Sequence, residues 1–379
     1  MYRIDKHCAG LCALSGLLVF APGVAASDGV VGPANCNEVG FSSVLATVDG
    51  SGGGKITFNC GAAATIAFTS YKTIANAVTI DGGGRITFDG GNASPFLQVF
   101  ASASVTLRRL TLQHGVFNAS HALENFGVLA LDTVRVLNNS STETPVANYG
   151  TLTVSWSTFS GNAATSSTSG DGGAIAHTGT DLHVSTSTFN GNSAARYGGA
   201  IYSNSPATIV NSTFAANAGS LGGGAFYQTG SGASSVTYTT IVGNTAPFGA
   251  GLYNDGGATS TLTIGKSIVS ANSAGNCDGV LATAGYNLSN DTGCGGVFTG
   301  TGDLVNQSLP MGALANNGGP TLTMLPQAGN PAINHIPAAQ CAILVDQRGA
   351  GRPSGVGCDS GAVEVGGIID LIFADGFDG

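Results

Sequence analysis

The residues whose types and spacing could do chemistry are few: eight cysteines, six of them past residue 26, and a scatter of carboxylates, histidines and arginines. Past residue 26 the cysteines fall in three sequence-local pairs, Cys36 with Cys60, Cys277 with Cys294 and Cys341 with Cys358. Locality favours these disulfides, although sequence alone leaves the other pairings open. No Cys-x-x-Cys or Cys/His spacing suggests zinc. Asp81 and Asp89 flank a glycine turn with Arg85 between them. They read either as a carboxylate cluster beside a base or as turn aspartates accepting backbone N–H bonds ahead of glycine; the second is preferred. Asp171, His177, Asp181 and His183 form the densest ionisable group. An acid–base pair or a weak metal site is one reading, and a solvated pair on a turn is the preferred one. Arg108-Arg109 and the single Trp156 complete the set, with Trp156 placed on the outer side, where it could stack a sugar ring. No catalytic, cofactor-binding or metal-ligating residue is assigned from these positions.

What must position such residues begins with an address. Arg3 and Lys6 precede an apolar stretch from Leu11 to Ala21, then Pro22 and Val24-Ala25-Ala26. That order reads as a secretory signal over residues 1–26. The stretch is shorter than the about 20 apolar residues a membrane span needs. Removing it takes away Arg3, Lys6 and Asp5, which brings the net charge from −9 to −10. An acidic chain with so few cations is a poor partner for nucleic acid. Export to an oxidising compartment makes disulfides the expected state of the cysteines.

The body of the chain repeats. Apolar pairs five residues apart recur as Leu107/Leu112, Leu131/Val136, Val154/Phe159, Val184/Phe189, Ile209/Phe214, Val236/Ile241 and Ile264/Val269. Three residues after the second member stands an asparagine six times running: Asn139, Asn162, Asn192, Asn217, Asn244 and Asn272. Glycine turns sit between, as Gly172-Gly173-Ala174-Ile175, Gly198-Gly199-Ala200-Ile201, Gly223-Gly224-Ala225-Phe226 and Gly249-Ala250-Gly251-Leu252. Apolar residues alternate with period 2, and no segment between repeats has a helical period. One such unit cannot bury its own apolar face, but stacked units make a continuous core. A repeat of roughly 25 residues fits one coil of a β-helix, whereas a propeller blade needs about 40. The fold class expected is all-β, a single-stranded right-handed parallel β-helix. Equivalent residues then stack about 4.8 Å apart, and the asparagines form a ladder of amides. Phe41, Val44, Leu45 and Val48 fall at i, i+3, i+4, i+7 and predict a short helix capping the N-terminal end. The expected organisation is a signal over 1–26, cap and first strand over 27–60, coils over 61–300, a C-terminal region over 301–366 and a tail over 367–379.

The Phe-x-x-Asn and Gly-Gly-Ala-Ile units over 159–252 resemble the repeats of polymorphic outer-membrane proteins, which form parallel β-helices on cell surfaces. Val78-Thr-Ile-Asp-Gly-Gly-Gly-Arg-Ile-Thr-Phe88 and Val105-Thr-Leu-Arg-Arg-Leu-Thr-Leu112 resemble coils of the pectin-lyase-like superfamily. Leu314-Ala-Asn-Asn-Gly-Gly-Pro-Thr321, Asn330-Pro-Ala-Ile333, Asp346-Gln-Arg-Gly-Ala350 and Cys358-Asp-Ser-Gly-Ala362 are similar to a choice-of-anchor domain of exported bacterial proteins. Ile372-Phe-Ala-Asp-Gly-Phe377 looks like a tail motif of such proteins. His114-Gly115 is similar to a glycine-flanked histidine of galacturonan hydrolases, but the Asp-Asp and Arg-x-Lys elements that accompany it are absent.

Together these imply an exported protein, extracellular or on the outer cell surface, with a structural or adhesive and non-catalytic role. Its expected partners are carbohydrate or other cell-surface components. Neither nucleic acid, a transmembrane segment nor a cofactor is expected, and the chain is expected to be a monomer. The alternative is a polysaccharide lyase or glycoside hydrolase acting on acidic polysaccharide. Such an enzyme would gather carboxylates from several coils into one groove.

Overall fold

The computed structural model describes residues 26–117 and 121–369. The signal read at 1–26, apart from Ala26, and the tail from residue 370 onward lie outside the described residues. The chain is an all-β parallel β-solenoid of about ten turns, with one helix near its N-terminal end.

One turn shows how the sequence builds all of them. Strand Thr151–Ser155 ends at a corner where Trp156 is left-handed, with φ 50°. Strand Thr158–Ser160 follows, and Gly161 (φ 66°) and Asn162 turn the chain into the two-residue strand Ala163–Ala164. The Gly172-Gly173 turn leads to Ile175–His177, and the next turn opens with Asp181–Ser185. Each strand pairs in parallel with its equivalent one turn on: Leu152 with Leu182, Val154 with Val184, Phe159 with Phe189, Ile175 with Ile201. Within each strand alternate residues point in, so Leu152 and Val154 are buried while Thr151, Thr153 and Ser155 face outward. Phe159, Phe189 and Phe214 stack face to face with centroids 4.7 Å apart and planes within 5°. That spacing is the strand repeat itself, so one aromatic per turn fills the core without gaps.

The first corner repeats through Arg109, Thr133, Trp156, Thr186, Asn211, Tyr238 and Lys266, all with φ between 48° and 56°. A left-handed conformation is costly for such residues. At the five corners from Trp156 onward the next residue offsets that cost by satisfying the backbone around the corner. Ser157, Ser187, Ser212, Thr239 and Ser267 each donate a hydroxyl to the carbonyl two residues back. Ser157, Ser187, Ser212 and Ser267 also accept a backbone N–H from the turn before.

Helix α1, Glu38–Gly50, closes the N-terminal end. Asn37 caps it by accepting the Gly40 N–H, and Phe41, Leu45 and Val48 are buried against the first turns. Phe41 lies 5.0 Å from Phe88 and 5.8 Å from Phe68.

Residues 301–366 fold back along the outside of the solenoid. Thr188 Oγ1 donates to Leu322 O, Asn211 Nδ2 to Val345 O, and Gln347 exchanges hydrogen bonds with Thr188 and Thr213. The motif residues of this region make a buried ionic network. Arg348 donates from Nε and Nη2 to Asp346, and Arg352 reaches Glu364 at 3.3 Å.

Candidate functional site

The six asparagines form one continuous chain of amides. Asn139 Nδ2 donates to Asn162 Oδ1 at 2.9 Å, Asn162 to Asn192 and Asn192 to Asn217 at 2.8 Å, and Asn217 to Asn244 and Asn244 to Asn272 at 2.9 Å. Each acceptor oxygen also takes the backbone N–H of the asparagine before it. Each Nδ2 gives its second proton to a carbonyl of the preceding turn, such as Phe159 O or Phe189 O. With donors and acceptors spent inside the protein, the column holds the solenoid together and has nothing to offer a ligand. The six cysteines are bonded as Cys36–Cys60, Cys277–Cys294 and Cys341–Cys358. The first ties the entrance of α1 to the first turn. The last clamps the antiparallel pair Ile336–Pro337 and Gly357–Cys358.

The ionisable residues that are close in sequence do not converge. Asp81 is buried and takes hydrogen bonds from Arg109 (3.0 and 2.6 Å) and Gly83 N (3.1 Å), with Lys55 Nζ at 3.1 Å. Burial works against its charge, but those bonds outweigh it and hold its pKa down to about 2. Asp89 accepts from Gly91 N and Gln113, and Arg85 faces solvent. Asp171 pairs with Arg196 at 3.3 Å, while Asp181 is exposed. Trp156 is half-buried at a corner instead of standing on a strand face. Among the described residues, no three His, Cys, Asp or Glu are placed to hold a metal ion.

His177 belongs to another buried ladder. Asn125 Nδ2 donates to Asn148 Oδ1 at 2.7 Å, and Asn148 Nδ2 lies 2.8 Å from His177 Nδ1. His177 Nε2 faces the carbonyl of Pro206 at 3.1 Å, so the ring is assigned as neutral with its proton on Nε2. Burial lowers its pKa. The unfolded chain therefore takes up a proton that the folded chain refuses. The stability tied to this ring is present above about pH 6.5 and is lost as pH falls below that value. His177→Asn, which keeps the ladder chemistry of Asn125 and Asn148, should lose less melting temperature than wild type between pH 7.5 and pH 5. Parallel melting curves for the two proteins would contradict this.

The residues that do converge lie on the outer face of the sheet of three-residue strands. Phe100, Phe126 and Tyr149 follow the strands Leu97–Val99, Leu123–Asn125 and Val146–Asn148 in three successive turns. They are 42%, 40% and 41% exposed. Phe126 and Tyr149 stack at 4.9 Å. Beside them Glu124, the outward residue of its strand, accepts hydrogen bonds from Gln98 Nε2 (2.8 Å) and the Tyr71 hydroxyl. His121 is buried, with Nδ1 3.1 Å from Thr144 O and Nε2 2.9 Å from the Tyr149 hydroxyl. A carbonyl only accepts, so Nδ1 carries the proton and Nε2 receives the Tyr149 O–H. Glu143 Oε2 lies 3.3 Å and Glu124 Oε1 4.0 Å from the same Nε2. Burial lowers the His121 pKa against the pull of both glutamates. Burial and the same two carboxylates raise that of Tyr149, which stays a phenol.

A second aromatic group stands farther along the same sheet. Tyr202, Tyr227 and Tyr253 are in register, and Tyr197 stacks on Tyr227 at 4.5 Å. The signal was in the sequence as Ile201-Tyr202, Phe226-Tyr227 and Leu252-Tyr253 after each glycine turn. The Phe126 and Tyr149 pair was marked as well, by Asn125-Phe126-Gly127 and Asn148-Tyr149-Gly150, but without a Gly-Gly turn ahead of its strands. Flat apolar rings next to hydroxyl donors and carboxylate acceptors can hold a ring-shaped polar molecule by face and edge together. The His121, Tyr149 and Glu143 contacts can also move a proton. No protein-family model, curated protein or solved structure matches the chain.

Proposed function

We propose that this is an exported, monomeric protein, secreted or held on the outer cell surface, whose β-helix serves as a structural and adhesive scaffold without catalysis. The observation that carries this reading is the exposed row Phe100, Phe126 and Tyr149, set on a solenoid whose other polar columns are spent on its own packing. Three disulfides, and the absence of a described helix long and apolar enough to cross a membrane, fit an extracellular setting. The partner surface is carbohydrate or another cell-surface component. The likeness of the repeats to polymorphic outer-membrane proteins, and of 301–366 to choice-of-anchor regions, supports display at a surface. The purified protein should bind saturably to surface polysaccharide preparations and release neither reducing ends nor unsaturated sugars, with or without calcium. Absence of binding would overturn the proposal.

A second reading, a polysaccharide-cleaving enzyme, is favoured by one observation. His121 and Glu124 of one turn meet Glu143 and Tyr149 of the next around one proton-accepting nitrogen. Product release that disappears in both Glu124→Gln and His121→Asn would establish this reading in place of the first.

A further inference from the structure

We propose that the row Phe100, Phe126 and Tyr149 with Glu124 is a binding site for a neutral saccharide. The inference rests on the adhesive reading above and names the class of ligand at that face. Single exposed apolar residues are ordinary on protein surfaces, whereas a contiguous exposed patch marks an interaction site. Here three aromatics occupy one position in three consecutive turns, each roughly 40% exposed. The turns follow one another at about 4.8 Å, comparable to the length of one hexose in an extended chain. Phe126 and Tyr149 cover each other's facing surfaces, so the strip meets a ligand with its outward ring edges and the faces turned away from that stack.

The polar edge decides the charge of the ligand. Glu124 and Glu143 border the row, and His121 between them is held neutral by burial. The nearby Lys72 is paired with Glu38. A polyanion would meet the carboxylates of Glu124 and Glu143 at this edge, a repulsive arrangement. The hydroxyls of a neutral sugar meet carboxylate acceptors and the amide of Gln98. The site is also preorganised. Glu124 is held from one side by Gln98 and Tyr71, and the Tyr149 ring is fixed by its bond to His121 and its stack on Phe126. Little rotamer freedom remains to be lost on binding. The tyrosines around Tyr227 offer less, since that ring is buried and its hydroxyl is spent on Asp255 at 2.9 Å.

Titration calorimetry of the full chain with cellohexaose, xylohexaose, mannohexaose and hexagalacturonate tests this. At least one neutral hexasaccharide should bind, and hexagalacturonate should bind more weakly. Phe126→Ala and Glu124→Gln should each weaken the neutral ligand about tenfold, as loss of an anchor does. Phe126 is 40% exposed, so its replacement should leave the melting temperature unchanged; the Glu124 side chain is only 12% exposed and bonded to Tyr71 and Gln98, so Glu124→Gln is read at a temperature well below its own measured melting point. Tyr149→Phe, which keeps the ring, should retain more affinity than Tyr149→Ala and guards against a folding artefact. Tighter binding of the anionic probe, or neutral binding unchanged in Phe126→Ala, would overturn the proposal. If no neutral probe binds while the protein still adheres to surface material through Phe126, the ligand class is wrong and the adhesive reading stands. If adhesion is absent as well, both fall.

Discussion

Phe189→Ala is expected to lower the stability of the solenoid by about 3–5 kcal/mol. Phe189 is fully buried and touches its equivalents on both sides, Phe159 and Phe214, each at 4.7 Å. Truncation removes the middle of the stack and leaves a cavity that neighbouring turns cannot close, because their strands are fixed in register through Thr188, Phe189 and Asn190. In a solenoid each turn is supported only by its neighbours, so the weakness should spread to the turns that contain Phe159 and Phe214. Chemical denaturation should show the shift, and hydrogen exchange should place the loss in those turns. An unchanged midpoint would mean that the aromatic stack does not hold the core.

Arg352→Ala should cost a similar amount, about 3–5 kcal/mol, but elsewhere. The guanidinium is buried and donates to Asp359 O (2.8 Å) and Gly361 O (2.7 Å). It reaches Asn211 Oδ1 and Glu364 at 3.3 Å and lies 4.8 Å from the centre of the Tyr238 ring. Its removal strands the Glu364 carboxylate in the interior and cuts a tie between the C-terminal region and the solenoid. Limited proteolysis should therefore cut within 301–366 while the turns from 104 to 265 stay protected. Replacing both partners, Arg352→Met with Glu364→Leu, should recover part of the loss, because the Glu364 carboxylate is removed together with its partner. Protection of 301–366 equal to wild type in Arg352→Ala would contradict this.

The solenoid was legible because its core is monotonous. Pairs such as Val154/Phe159 and Val184/Phe189 recur at one offset, and parallel stacking makes that offset a column. The capping helix was legible from the spacing of Phe41, Val44, Leu45 and Val48. The corners were not. Arg109, Thr133, Trp156 and Lys266 share a backbone conformation but no side-chain property. The serine column that steadies those corners holds a constant place two residues before Phe159, Phe189 and Phe214, yet it was lost among the many other serines and threonines. Proximity in sequence also misled. Asp171, His177, Asp181 and His183 lie within 13 positions of each other, but His177 points inward and Asp171 pairs across to Arg196. The residues that do meet, Tyr71, Gln98, His121, Glu124, Glu143 and Tyr149, come from successive turns. Reading them needed the register of the three-residue strands, which the sequence marks only where the glycine turns begin. In the C-terminal region Arg348 is answered by Asp346 of its own motif, but Arg352 meets Glu364 and Asn211 only because the segment folds back on itself and on the solenoid.

The central claim is that the interior polar columns are architecture and that the outer aromatic row is where the protein meets its partner. Its most direct test compares adhesion to surface polysaccharide for three proteins: wild type, Phe126→Ser with Tyr149→Ser, and Leu344→Ser with Val356→Ser. The last pair removes apolar residues of the C-terminal region that are still more exposed, 77% and 88% against 40% and 41%. Adhesion lost in the first pair and kept in the second, at equal melting temperatures, is the predicted result. Adhesion that survives in the first pair at the wild-type level would contradict it.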